Sequence, residues 1–126
     1  MKYHIYDISH MLNIHEPLNP AAFFQCLSDD TRLKSLLLLQ LKNELCVCEL
    51  SDALQQSQPK MSRHLAELRA CRLVKSERRG KWVYYRINSQ VPSWALSVLS
   101  QSARAHADAY LSECLTRLQN ATAACC

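Results

Sequence analysis

Residues 57–87 decide the fold, and they read SQPKMSRHLAELRACRLVKSERRGKWVYYRI. In the first half of this stretch Met61, Leu65 and Leu68 recur at the spacing of an α-helix and would share one buried face. Ser57 can accept a hydrogen bond from the first helical turn, so it is the predicted N-cap. The first half therefore predicts one amphipathic helix directly after Ser57.

The second half of the stretch changes to the two-residue period of β-strands. In residues 73–78 and 81–87, successive side chains alternate in character, as they do when they point to opposite faces of a strand. Gly80 is the only glycine of the chain, and glycine adopts the positive φ of a tight turn at little cost. We therefore expect a β-hairpin with Arg79-Gly80 as its two-residue turn.

Upstream of this stretch, apolar residues at helical spacing predict four more helices. They cover residues 3–15, 20–27, 31–42 and 47–55, with Asn19 and Asp30 as the N-caps of the second and third. The helix over 31–42 is apolar almost all round, which predicts a central position in the core. A tight break at Gln56-Ser57 separates the last of these helices from the helix that follows.

Downstream, one long helix is predicted from Pro92 to Asn120. It would be about 40 Å long, more than a compact domain of this size covers, so part of its apolar stripe would pack against a second copy of the chain. The predicted fold is mainly α with a small β-hairpin, a winged helix-turn-helix that forms a homodimer through its N- and C-terminal helices. Residues 1–120 would form one domain, and 121–126 a cysteine-bearing tail.

Length and composition narrow the class of protein. The chain has 126 residues, enough for one domain with one core, and no apolar run is long enough to span a membrane. The N-terminus lacks the apolar stretch and cleavage site of a signal peptide, so we expect a cytoplasmic protein. In that compartment the seven cysteines are expected as free thiols, metal ligands or redox centres rather than as a disulfide framework.

Basic residues concentrate in the stretch that predicts the helix and the hairpin. Between Gln58 and Arg86, nine Lys and Arg stand against two Glu, a net charge of +7; the rest of the chain has six against nine, a net charge of −3. Such a face is typical of a protein that holds a polyanion, although a solvated basic surface would look the same. Two short helices joined by a tight break and followed by a basic hairpin favour double-stranded DNA as the partner.

The candidate DNA contacts lie at the start of the second helix and at the hairpin tip. They are Ser57, Gln58, Lys60, Ser62, Arg63 and His64 on the helix, and Arg78, Arg79 and Lys81 on the tip. We expect Arg63 to read a base with help from Gln58 and Ser62. Lys60 and His64 would touch phosphate, and the tip residues would touch the backbone or the minor groove. The alternatives are an ordinary surface arginine at position 63 and a packing role for His64.

A pair of cysteines, Cys46 and Cys48, lies where the first helix of the predicted unit begins. Residues two apart on a regular helix point about 200° away from each other, so both thiols could hold one ion only if the helix bends or unwinds. A soft thiophilic ion bound there would then displace the helix that positions the DNA-reading helix. The alternative is that both cysteines are small core residues.

The chain resembles the arsenite-responsive branch of the ArsR/SmtB family of winged-helix repressors. The resemblance covers residues 23–94 and rests on LSDDTRL (27–33), ELCVCEL (44–50), SQPKMSRHLAELR (57–69) and GKWVYYRI (80–87). It implies a homodimer that represses its own resistance operon and leaves operator DNA when As(III) or Sb(III) binds cysteine thiolates. It implies that Cys46 and Cys48 are ligands. No resident cofactor, small-molecule substrate or membrane partner is expected.

Two departures from the family pattern bear on this site. Ser51 stands where the third cysteine of the family's C-V-C-x-x-C pattern would be, so this segment alone cannot build a three-sulfur site. A third thiolate could come from Cys125, Cys126, Cys114 or a small thiol. Arg72 stands where the family usually has a helix-ending glycine, which predicts a strained or altered C-cap.

Two other functions are alternatives at this point. The same fold could use the cysteine pair as redox-sensing thiols, with oxidation instead of a metalloid releasing DNA. A thiol enzyme is disfavoured because the chain has no Cys-x-x-Cys and no glycine-rich phosphate loop. His106 and Asp108 lack a second histidine for a zinc site, and Cys26 and Cys71 are expected as ordinary thiols.

Overall fold

The computed structural model describes residues 18–120. In chain order its elements are α1 (Pro20–Cys26), α2 (Asp30–Lys42), β1 (Leu45–Cys46), α3 (Val47–Leu54), α4 (Gln58–Ala70), β2 (Val74–Arg79), β3 (Trp82–Ile87), α5 (Ser93–His106) and α6 (Ser112–Asn120). The helix predicted over 3–15 and the tail 121–126 lie outside the described residues. Within 18–120, no helix combines the length and the apolarity needed to cross a bilayer.

The first two helices begin at side-chain caps. Asn19 accepts a hydrogen bond from the backbone N–H of Ala22 (3.2 Å), which confirms the predicted start of α1. The predicted cap of α2 is wrong by one residue, because Asp29 has the extended backbone and accepts from the N–H of Arg32 (3.0 Å). Asp30 instead lies in the first turn, where its negative charge faces the positive end of the helix dipole.

The centre of the core is α2, as its all-round apolar pattern predicts. Leu36, Leu37, Leu38 and Leu39 are each at most 1% exposed. The helices α3, α4 and α5 and the strand β3 all pack against α2, which explains why its middle turn is buried on every side. The helices that carry the candidate DNA contacts are therefore fixed to one central element.

The helix-turn-helix consists of α3 and α4. After α3 ends at Leu54, Gln55 takes the left-handed conformation (φ 54°) in which the chain reverses. Ser57 then caps α4, because its hydroxyl accepts a hydrogen bond from the backbone N–H of Lys60 (3.3 Å). The buried face of α4 consists of Met61, Leu65 and Leu68, as their spacing predicts.

The hairpin forms the wing, but its turn and its size differ from the prediction. Arg79 pairs with Trp82, so the two turn residues are Gly80 and Lys81 rather than Arg79 and Gly80. Gly80 still supplies the positive φ (65°) for which glycine is suited. Strand β1 adds a third antiparallel strand on the far side of β3 from β2. A strand of two residues is too short to show a hydrophobic period, so no pattern in the sequence reveals it.

The single long helix predicted at the C-terminal end is wrong. The chain turns at residues 107–111 and separates α5 from α6, with the N–H of Leu111 donating to the carbonyl of His106 (3.2 Å). Helix α6 then packs along α3 and covers it. The length of the C-terminal helix therefore gives no support for packing against a second copy of the chain.

A tertiary contact holds this turn in place. The Tyr110 hydroxyl donates to the carboxylate of Asp30, and the Lys34 ammonium lies over the Tyr110 ring, 4.8 Å from its centroid. Burial and the bond to Asp30 raise the pKa of Tyr110, while the hydrogen bond from Tyr110 lowers the pKa of Asp30. The contact joins positions 80 residues apart, so no local pattern predicts the break.

Cys26 and Cys71 form a disulfide, so the expectation of two ordinary thiols is wrong. Their Cα atoms lie 6.9 Å apart, and 45 positions separate them along the chain. Cys26 ends α1, Cys71 is the C-cap of α4, and both residues are buried. The bond therefore ties the end of α4 to α1.

Candidate nucleic-acid interface and thiol site

The predicted contacts at the start of α4 reach solvent. Gln58, Lys60, Ser62 and Arg63 are all exposed, whereas Met61, Leu65 and Leu68 of the same helix are buried. Within residues 18–120 their side chains make no hydrogen bond or ion pair, whereas the Ser57 hydroxyl is used as the cap. A recognition helix that enters a major groove needs this arrangement, with donors and acceptors projecting from one exposed face.

His64 is half-buried and bridges two helices. Its Nδ1 lies 3.6 Å from a carboxylate oxygen of Asp29, the residue that caps α2. The two side chains are 24% and 31% exposed. This contact ties α4 to the start of the central helix, which favours the packing role for His64 over a phosphate contact.

Two of the three predicted tip residues project from the outer end of the wing. Arg78 donates to the carbonyl of Gly80 (3.3 Å), and the Lys81 ammonium lies over the ring of Trp82, 5.3 Å from its centroid. Both Arg78 and Lys81 are exposed. They place positive charge where a neighbouring DNA backbone would supply phosphates.

Arg79 is engaged with acidic residues instead. Its guanidinium donates to both carboxylate oxygens of Glu44, at 2.9 and 2.6 Å, and to a carboxylate oxygen of Glu77 at 2.9 Å. It also lies over the ring of Tyr84, 4.5 Å from the centroid. The hydrogen bonds from Arg79 lower the pKa of Glu44, and those to Glu44 and Glu77 raise the pKa of Arg79.

Cys46 and Cys48 lie at a joint between the wing and the helix-turn-helix. Cys46 is the last residue of β1, where it pairs with Tyr84, and it is also the N-cap of α3. Its backbone is extended (φ −86°, ψ 164°), and its N–H donates to the carboxylate of Glu49 (2.9 Å). Cys48 is the second residue of α3. Because Cys46 is outside the helix, the expectation that the two thiols face apart on one straight helix is wrong.

The surroundings of this pair limit which ligands can join it. Both sulfurs are disulfide-bonded in the structure, so reduction has to precede the binding of an ion. Ser51, one turn after Cys48, is buried, and its hydroxyl has no hydrogen-bond partner within residues 18–120. Cys114 is a free buried thiol whose pKa is raised by burial. Across the described part of the chain, no three cysteine, histidine or carboxylate side chains are grouped as a metal site requires.

Comparison with known proteins identifies the family. Residues 29–76, from the cap of α2 into β2, match the family described as bacterial regulatory protein, arsR family. The chain is 45% identical over 103 residues to the arsenic resistance transcriptional regulator ArsR2 of Pseudomonas putida. The aligned region covers 82% of this chain and 89% of that protein. The chain belongs to the ArsR family.

Two further ArsR-family similarities agree with this assignment. The arsenical resistance operon repressor of Escherichia coli is 48% identical over 87 residues, or 69% of this chain and 74% of that protein. The crystal structure of the AntR antimony-specific transcriptional repressor aligns with a TM-score of 0.57 and 27% identity, over 79% of this chain and 92% of that chain. These similarities and the structure confirm the predicted winged helix-turn-helix.

Glu44 is the residue of this ArsR-family site that sequence reasoning missed. It lies two positions before Cys46, and it contacts Arg79, 35 positions further along the chain. Neither hydrophobic period nor the family motif marks such a pair.

The last helix of this ArsR-family chain packs along α3. Ser112 and Cys114, at the start of α6, line the same cavity as Leu54, at the end of α3. The Arg117 guanidinium, further along α6, donates a hydrogen bond to the backbone carbonyl of Ala53 (2.8 Å). These contacts attach α6 to the end of the first helix of the helix-turn-helix.

Proposed function

We propose that this protein is a transcriptional repressor of an arsenical-resistance operon, released from its operator when As(III) or Sb(III) binds cysteine thiolates. The observation that carries the proposal is the position of Cys46, which belongs both to a strand of the wing and to the cap of the helix-turn-helix. An ion held there acts on both parts that approach DNA. The names of the relatives, two for arsenic resistance and one for antimony, support the choice of inducer.

Double-stranded operator DNA is the proposed partner of α4 and the wing. Arg63 would read a base, with help from Gln58 and Ser62, because all three side chains are exposed in the first two turns of the helix. Lys60, Arg78 and Lys81 would bind phosphates and add affinity without sequence preference. Arg79, also predicted as a backbone contact, is instead engaged by the carboxylates of Glu44 and Glu77.

A second copy of the chain is the proposed protein partner. Two α4 helices on a dimer can enter major grooves one helical turn apart, about 34 Å, on a palindromic operator. An apolar patch beside α1 and α5 supports an interface there, since Phe24 and Trp94 are 52% and 38% exposed and both pack edge-on against Phe23. The helix predicted over 3–15 would complete this interface.

The proposed inducer site uses reduced Cys46 and Cys48. As(III) is a soft ion that prefers thiolates, and a thiolate near a helix N-terminus is favoured by the helix dipole. Cys125 or Cys126 is the proposed third ligand. Helix α6 packs along α3, which begins at Cys46 and Cys48, and the five or six residues that link Asn120 to Cys125 or Cys126 can extend up to about 20 Å.

Operator binding measured by fluorescence anisotropy in a phosphine reductant, with and without arsenite, tests the proposal. Arsenite should weaken binding of the unmodified protein about tenfold or more, in the range usual for coupled sites. Cys46→Ser and Cys48→Ser should stay bound. Cys114→Ser is the matched control and should respond like the unmodified protein. A complex that survives arsenite, or a Cys46 or Cys48 variant that still responds, would rule the mechanism out.

X-ray absorption on the arsenite-loaded protein tests the third ligand by counting sulfurs per arsenic atom. Without added thiols, we expect three sulfurs in the unmodified protein and two when Cys125 and Cys126 are both serine. Adding Ser51→Cys to that variant should return the count to three, because position 51 is buried one turn from Cys48. Three sulfurs in the variant without tail cysteines would exclude the tail as the source.

One alternative function is favoured by the disulfide-bonded state of Cys46 and Cys48. Oxidation by a peroxide, in which thiols lose protons and electrons in pairs as disulfides form and the peroxide is reduced to water or alcohol, would then release DNA in place of a metalloid. Mass spectrometry of peroxide-treated protein at the point of release separates the two functions. If neither cysteine carries a disulfide or an adduct at that point, oxidation is not the signal.

The family is a class of transcription regulators, and we propose no enzymatic activity and no resident cofactor. We place the protein in the cytoplasm, where operator DNA and a thiol-reducing pool are both present. Residues 1–120 would act as one DNA-binding and dimerisation domain, with residues 121–126 as a ligand-bearing tail.

A further inference from the structure

The ion pair between Glu44 and Arg79 joins two functional parts of the molecule. Glu44 lies two residues before Cys46, in what we call the thiol segment (residues 44–48), and Arg79 ends strand β2 at the tip of the wing. Both carboxylate oxygens of Glu44 accept hydrogen bonds from the guanidinium, at 2.9 and 2.6 Å. A bidentate pair of this kind sets direction as well as distance, so it transmits a change of position.

The register of the sheet explains how one side chain reaches so far. Cys46 on β1 pairs with Tyr84 on β3, and Tyr84 pairs with Glu77 on β2. The Arg79 guanidinium lies over the Tyr84 ring and meets Glu44 beyond it. Arg79 therefore spans all three strands of the wing and ends at Glu44, the first residue of the thiol segment.

The pair lies in an alternating network at the surface. Arg86 lies 4.0 Å from Glu44 and 3.9 Å from Glu77, so each carboxylate has two basic neighbours. The side chains of Arg79 and Glu44 are 45% and 27% exposed. Ion pairs this exposed contribute little to the free energy of unfolding, so replacing either residue should leave the fold intact and should affect only the local position of the wing.

We propose that Arg79 is a positioning residue that, through Glu44, couples the thiol segment to the wing, so that metalloid binding at Cys46 and Cys48 moves the hairpin that approaches DNA. This proposal rests on the function proposed above. When an ion binds the two reduced sulfurs, the backbone at the joint adjusts to the geometry of the bound ion, and Glu44 shifts with it. The wing follows because its tip is held by Glu44. Arg79 thus contributes to the response to inducer, while Arg78 and Lys81 contribute to affinity.

The test compares operator dissociation constants with and without saturating arsenite, because their ratio cancels effects that act on DNA affinity alone. Glu44→Gln keeps side-chain size, Arg79→Gln replaces the guanidinium with a shorter neutral polar group, and each should lower this ratio about fivefold or more. The double variant should be no worse than either single variant, since both remove the same contact. Glu77→Gln is the matched control: it removes the same charge and one Arg79 contact, but that contact does not reach the thiol segment. Its ratio should stay within about twofold of the unmodified protein.

Two further measurements separate this proposal from its alternatives. Arsenite affinity of the DNA-free protein should be unchanged in Glu44→Gln and Arg79→Gln; a parallel loss would place the pair in the binding site and overturn the coupling role. Without arsenite, amide exchange over residues 77–84 should speed up in both variants and not in Glu77→Gln. If Glu44→Gln and Arg79→Gln leave the ratio of operator dissociation constants unchanged, or leave amide exchange over residues 77–84 unchanged, the proposal is overturned. If the unmodified protein ignores arsenite, the proposed function fails, and the exchange result alone decides whether the pair positions the wing.

Discussion

The exposed face of α4 and the tip of the wing are both basic, but they differ in what their charges contact. The side chains of Lys60 and Arg63 on α4 make no ion pair within residues 18–120, and they reach solvent. At the wing tip, Arg79 is held by two carboxylates, one of them contributed by the segment that leads into Cys46. The helix face is therefore organised for an external partner, and the wing is organised partly around the inducer segment.

This difference shows that positive charge alone does not identify a DNA contact. A guanidinium that already has two carboxylate partners must lose them before it can bind phosphate, whereas an exposed arginine pays no such cost. The two regions should then respond differently to substitution. Specific affinity should depend on α4, and the response to inducer on the link between wing and thiol segment.

The largest expected effect comes from a difference in covalent anchoring between the two regions. The Cys26–Cys71 disulfide anchors the end of α4, whereas strands β2 and β3 of the wing contain no cysteine. Closing a loop of 45 residues restricts the unfolded chain, so breaking the bond should lower the free energy of unfolding by about 4 kcal/mol. Urea denaturation with and without reductant measures this. Oxidised Cys26→Ser and Cys71→Ser should both match the reduced unmodified protein, which separates this bond from the other cysteines. Equal denaturation midpoints for oxidised and reduced protein would contradict the prediction.

A smaller effect separates base readout from phosphate contact. Arg63→Ala should weaken operator binding by roughly 1–3 kcal/mol and relax the preference at one base position. Arg78→Ala should weaken binding to operator and random DNA alike and should reduce the salt dependence of binding. Anisotropy titrations on both DNAs at several salt concentrations test this. Equal losses on the two DNAs for both variants would remove the distinction between helix and wing.

The elements that the sequence predicted well are those with local signals. The start of α4 follows from Ser57 and that of α1 from Asn19, because a cap and an apolar period lie within one or two turns of chain. The break between α5 and α6 has no glycine or proline to mark it, and it depends on Tyr110 meeting Asp30. Strand β1 is defined only by its pairing with β3.

The features of the candidate site also divide into those that local signals predict and those that depend on long-range contacts. The exposure of Arg63 follows from helical spacing, since Met61 and Leu65 fix the buried face. The position of Cys46 as both strand residue and cap follows only from the sheet that forms around it. The pairing of Arg79 with Glu44 joins parts of the chain that no periodicity relates.

The smallest expected effect lies between the two regions, at Arg72. Arg72 follows the end of α4 in the left-handed conformation (φ 62°), and the N–H of Leu73 donates to the carbonyl of Leu68 (3.0 Å). The expectation of a strained or altered C-cap at this position is therefore confirmed. A side chain costs free energy in this conformation, and glycine removes that cost but gains freedom in the unfolded chain. Arg72→Gly should therefore raise the free energy of unfolding by about 0.5–1 kcal/mol.

Urea denaturation measures the gain, and Gln55→Gly is the matched control because Gln55 has the same conformation (φ 54°) at the end of α3. A gain at both positions would show that backbone strain is relieved wherever a left-handed residue ends a helix. Destabilisation at position 72 alone would mean that the Arg72 side chain, rather than its backbone, holds the junction between α4 and β2. In that case the recognition helix and the wing would be linked through this junction as well as through Glu44, and the division of labour between them would be weaker than the ion pair suggests.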